Sequence, residues 1–69
     1  MNMERDIKYS TLLRVEEFIR RNQPIWKTEI TIQAHIDYNS VISALNILEK
    51  QGKIKYVGDK PKNKQIVLT

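Results

Sequence analysis

The stretch "HIDYNSVISALNILEKQGKI", residues 35–54, reads as a turn, a capped amphipathic helix and a stop. Asp37 is the expected N-cap, because its carboxylate can accept from the unpartnered backbone N–H groups of a first helical turn. Gly52 is the expected stop, since the residue after a last turn commonly takes a left-handed conformation that glycine adopts without a Cβ clash. Between them the pattern predicts a helix over 38–51. At 100° per residue, Val41, Ala44, Leu45 and Leu48 fall within one arc of roughly 100° and form the buried stripe. The opposite arc carries Asn39, Ser43, Asn46 and Lys50, with Ser40 and Ile47 along one edge and no carboxylate among them.

Working outward toward the N-terminus, Leu12, Val15, Phe18 and Ile19 recur at helical spacing, with Ile7 a turn earlier. Arg14, Glu17, Arg20 and Arg21 fill the other side, so a first helix is expected over about residues 6–22, with Tyr9 packing on it. Asn22, Gln23 and Pro24 end it, because proline biases the preceding residue away from helical dihedrals. "PIWK" (24–27) is long enough only for a bridge or a brief edge strand, with Trp26 expected to plug the core. Thr28 is the expected cap of a second helix at about 29–35, with Glu29 well placed beside the positive end of its dipole. Ile30, Ala34 and Ile36 should face the core, and only three or four residues, His35 among them, remain for the turn into the third helix.

Toward the C-terminus, "KIKYV" and "QIVLT" have the β-branched, alternating character of strands, joined by "GDKPKNK". Gly58, Asp59, Pro61 and Asn63 are turn formers, so a hairpin over 53–69 is expected. The fold class is therefore α+β, three helices followed by a C-terminal β-hairpin, in one domain over 1–69.

A chain of 69 residues sits near the lower limit for a core that holds without covalent help, and it leaves no room for a large substrate cavity. It has no cysteine, so neither disulfides nor thiolate metal sites can brace it, and a reducing, cytoplasmic setting is expected. No apolar run is long enough to cross a bilayer, and the charged start "MNMERDIKYS" does not fit a signal peptide. The single histidine, His35, cannot assemble a zinc site. Glu16 and Glu17 are adjacent and splay around their helix, so they do not pair for acid–base work. With no glycine-rich phosphate loop or nucleophile elbow either, no enzyme activity, cofactor, metal or small-molecule ligand is expected.

The charge is uneven. Residues 50–64 hold six lysines against the single acid Asp59, a net of +5, while the remainder nets −1, giving the chain its +4. Positive charge concentrated near one end is what a protein docking on a polyanion carries.

With these elements in place, "EITIQAHIDYNSVISALNILEKQGKI" resembles, without a gap, the winged helix-turn-helix family. The resemblance rests on Ile30 in the second helix, Ile36 and Asp37 at the turn, Val41, Leu45 and Leu48, then Gly52 and Ile54. It covers roughly residues 7–69. The chain departs at Thr31 and His35, where the family often has alanine and a turn glycine; histidine can adopt positive φ at some cost.

The resemblance implies that the third helix is a recognition helix entering the major groove and that the hairpin is a wing over adjacent backbone. Asn39, Ser40, Ser43 and Asn46 are then the candidates for base edges, asparagine being suited to adenine. Tyr38, Lys50, Lys53, Lys55, Lys60, Lys62 and Lys64 are the candidates for DNA phosphates, and Tyr56 either joins them or is half buried. The expected function is sequence-specific double-stranded DNA binding by a small cytoplasmic transcriptional regulator, as a homodimer. The alternatives are a protein-interaction winged helix in transcription or replication machinery and, more weakly, structured-RNA binding. Ile32, Ile42 and Ile47 lie where the family usually carries polar residues, and either meet a partner or fill gaps in the fold.

Overall fold

The computed structural model describes residues 8–59 and 64–69. Within them α1 (Tyr9–Asn22), α2 (Lys27–Ala34) and α3 (Tyr38–Lys50) precede an antiparallel hairpin of β1 (Ile54–Val57) and β2 (Gln65–Leu68). This is the α+β layout of a winged helix. The N-terminal part of the first expected helix, with Ile7, lies outside the described residues, as do Lys60, Pro61, Lys62 and Asn63 of the hairpin loop.

On α1, Val15 and Ile19 are buried, and the opposite side pairs its own charges. Arg21 Nε lies 2.8 Å from Glu17, and Arg20 lies 3.5 Å from Glu17 and 3.7 Å from Glu16. Both arginines sit in the last turn, where the helix dipole favours cations. Tyr9 does not pack down as expected but is exposed at the start of the helix.

The link to α2 corrects two expectations. In extended backbone, successive side chains point to opposite faces, so Ile25 goes into the core and Trp26 goes outward, 44% exposed. Ile25, not Trp26, is the plug. α2 then begins two residues earlier than expected, with Trp26 rather than Thr28 at its N-cap. The indole has no acceptor to offer; instead the Glu29 carboxylate accepts from the Trp26 backbone N–H at 3.3 Å, half of a capping box.

His35 closes α2 in the left-handed region (φ 58°, ψ 42°), leaving His35, Ile36 and Asp37 as the turn. Asp37 caps α3 as expected, accepting from the Ser40 backbone N–H at 3.1 Å and from the Ser40 hydroxyl at 2.8 Å. At the other end, Lys53 N–H donates to Leu48 O (2.9 Å) and Gly52 N–H to Glu49 O (3.0 Å), with Gly52 at φ 73°. These two bonds make a Schellman stop, which turns the chain directly into β1.

The hairpin pairs Ile54 with Leu68 and Tyr56 with Ile66. Its second strand is also paired on the far side, where Ile25 and Ile66 exchange backbone bonds of 3.1 and 2.7 Å. Gln23 Oε1 accepts from Leu68 N–H at 2.8 Å, tying the same segment down again. The "PIWK" segment is thus a bridge onto β2, and it fixes the start of α2 beside the base of the hairpin. α3 is the hub: α1, α2 and β1 all pack on it, and Val41, Ala44, Leu45 and Leu48 are buried as its stripe predicted. Among the described residues no helix is long and apolar enough to cross a membrane.

Candidate nucleic-acid interface

The hub position of α3 changes which of its residues are open. A helix packed by one neighbour would leave the arc opposite Val41 in solvent, but α3 is packed by three elements, so its buried arc is wider than its apolar stripe. Ser43, expected on the open face as a base contact, is 7% exposed and therefore lies off that face. Ser40 is half buried, and its hydroxyl is engaged by Asp37. Asn39 and Lys50 are exposed, Asn46 is partly so, and Tyr38 is 45% exposed at the first turn.

Toward the hairpin, α3 presents a stripe of Asn39, Ile42, Asn46 and Glu49, beside the exposed Lys50 and the half-buried Ser40 and Ile47. It is rotated toward the hairpin by roughly 50° from the arc drawn on a bare wheel. Asn46, Ile42 and Glu49 line one wall of a groove of about 560 Å³ between α3 and the hairpin. The other side is basic: Lys55 comes from β1, Lys64 from the start of β2 and Lys27 from the first turn of α2. Leu45, Ile54 and Ile66 form its floor and belong to the core, so the groove is held by the best-packed part of the molecule.

Among the described residues Lys27, Lys53, Lys55 and Lys64 make no ion pair. Three unpaired ammonium groups around a concave surface raise its positive potential, because the low-dielectric walls focus the field. Among the described residues, Glu49 is the one acid that lines the groove. Tyr56, half buried between the floor and the lysines, has its phenol pKa pushed above 10.0, first by burial and second by the Glu49 carboxylate. It therefore stays a neutral hydrogen-bond donor at physiological pH.

The structure thus brings together Asn46, Lys55 and Lys64 of the expected set, with Asn39 on the same helix stripe, and adds Lys27, which sequence reasoning had left unassigned. Its signal was weak: one lysine beside the exposed Trp26, far along the chain from the basic C-terminal segment. Lys53 is exposed just beyond the Schellman stop, and Lys60 and Lys62 lie outside the described residues. No group of three or more His, Cys, Asp or Glu among the described residues is placed to hold a metal. No protein-family model, curated protein or solved structure matches the chain, so the chemistry of this surface rests on its own residues.

Proposed function

We propose that this chain is a sequence-specific double-stranded DNA-binding protein of the winged helix-turn-helix type, a small cytoplasmic transcriptional regulator with no catalytic activity. The observation that carries it is the groove beside α3, where unpaired Lys27, Lys55 and Lys64 lie across from Asn46, on a helix stripe that also bears Asn39. Asparagine amides can bond the N7 and N6 edge of adenine in the major groove, while the lysines meet phosphates alongside. Tyr38, Lys50 and Lys53, exposed at the two ends of α3, extend the phosphate track. Lys60 and Lys62 of the wing loop would add to it.

Neutralising four to six phosphates gives a slope of log K against log salt of roughly −4 to −5. One module of this size covers little DNA, so a homodimer on an inverted repeat supplies the remaining affinity. The test is selection from a pool of random duplex DNA at two salt concentrations, with sequencing of the retained fraction. Enrichment of a motif supports the reading; no retention at either salt overturns it.

A second reading, an adaptor that binds another protein, is favoured by a different observation. Ile32 on α2 is 70% exposed, and a groove of about 420 Å³ between α1 and α2 is lined by Leu13, Phe18 and Ala34. Such a contact would hardly respond to salt, whereas DNA binding weakens steeply.

A further inference from the structure

The stripe that α3 turns toward the hairpin contains one apolar residue. Ile42 is half buried and lines the groove beside Asn46. It belongs neither to the buried core nor to the half-buried side chains packed against that core. Part of its side chain therefore stays open to the groove. Covering that open part with an apolar group is favourable.

Its neighbours say what that cover is. Ile42 lies three residues after Asn39 and four before Asn46, so along the helix axis it stands about 4.5 Å from one and about 6 Å from the other. The two asparagines are about 10.5 Å apart along the axis, close to three base-pair steps of 3.4 Å. On the floor of the major groove, the apolar group that base edges present is the C5-methyl of thymine. An A·T pair presents that methyl together with the adenine edge that asparagine recognises. Two asparagines flanking an isoleucine thus agree on one kind of target.

We propose that Ile42 is a specificity-determining residue that packs on a thymine methyl, within a run of three or four A·T-rich base pairs whose adenines meet Asn39 and Asn46. This rests on the DNA-binding reading above.

The experiment uses the full chain and the duplex recovered by selection, with each thymine in turn replaced by deoxyuridine, which removes only the methyl. One position is expected to lose about fourfold in affinity, the worth of one buried methyl group. The Ile42→Ala protein should bind the thymine duplex about as weakly as the native protein binds the uracil one, and be indifferent to the exchange. Ile42→Val, which keeps a branched side chain, should retain most of the sensitivity and guards against a folding defect in the alanine variant; melting curves of both check this directly. Specific binding without any methyl-sensitive position, or equal sensitivity in Ile42→Ala, overturns the assignment and leaves DNA binding standing. Failure to select any duplex removes the DNA-binding reading and this proposal with it.

Discussion

The groove between α1 and α2 and the groove between α3 and the hairpin are of similar size but treat charge differently. Around the first, the charged groups are already satisfied: Arg21 and Arg20 pair with Glu17, and Arg14 donates to the Ala34 carbonyl at 3.0 Å. Around the second, Lys27, Lys55 and Lys64 have no ion-pair partner among the described residues and face the single acid Glu49. A paired rim has little left to offer a ligand, since exposed ion pairs are worth only about 0–1 kcal/mol and are already formed. An unpaired basic rim carries self-repulsion that an incoming polyanion relieves. The contrast separates charge that serves the helix from charge available to a partner.

Substitutions test the difference between the two grooves, and the most damaging lies in the floor that the core and the lysine groove share. Leu45→Ala removes a fully buried side chain under that groove and should cost about 2–5 kcal/mol by chemical denaturation. In a domain this small that loss should unfold much of the population. Next, alanine at Lys27, Lys55 and Lys64 together should weaken binding to all duplexes and flatten the salt slope by roughly 2.7. Arg20→Ala with Arg21→Ala on the other side should leave the slope unchanged. If the two sets flatten it equally, the contrast between the grooves is wrong.

Smaller effects sharpen it. Asn46→Ala should reduce discrimination at one base pair by about 1–3 kcal/mol, read as relative affinity for single-base variants of the selected duplex; a uniform loss would place Asn46 on the backbone. Asp37→Ala should cost about 1 kcal/mol of stability through the lost α3 cap, measured by thermal melting. The smallest effect concerns Tyr56. Its raised pKa means the folded state holds the phenol proton more tightly than the unfolded state, so this stabilisation is present below pH 10.0 and is lost as pH rises through the raised value. Phenolate absorbance should show Tyr56 titrating late. Glu49→Gln should bring it part of the way back, because burial, the larger cause, remains.

Much of the fold was legible because its signals are local. Asp37 and Gly52 mark the ends of α3 by backbone chemistry that involves only neighbouring residues, and both act there as expected. The stripe of Val41, Ala44, Leu45 and Leu48 follows from helical period alone. Two local errors were also local in cause. Trp26 is the expected core plug, whereas the alternation of extended backbone gives the core to Ile25. Thr28 is the expected cap by residue type, whereas Glu29 satisfies the Trp26 N–H from inside the helix.

The amino-acid sequence by itself determined the order of elements, the ends of α3 and the lysine-rich character of the C-terminal third, because caps, period and composition are properties of short segments. Which face of α3 stays open was decided by tertiary structure. That face depends on how many elements pack around the helix, and a wheel drawn from one segment cannot count them. Three-sided packing buried Ser43, turned the open stripe toward Ile42 and Asn46, and, through the bridge of Ile25 to Ile66, carried Lys27 from the middle of the chain to the groove that Lys55 and Lys64 line.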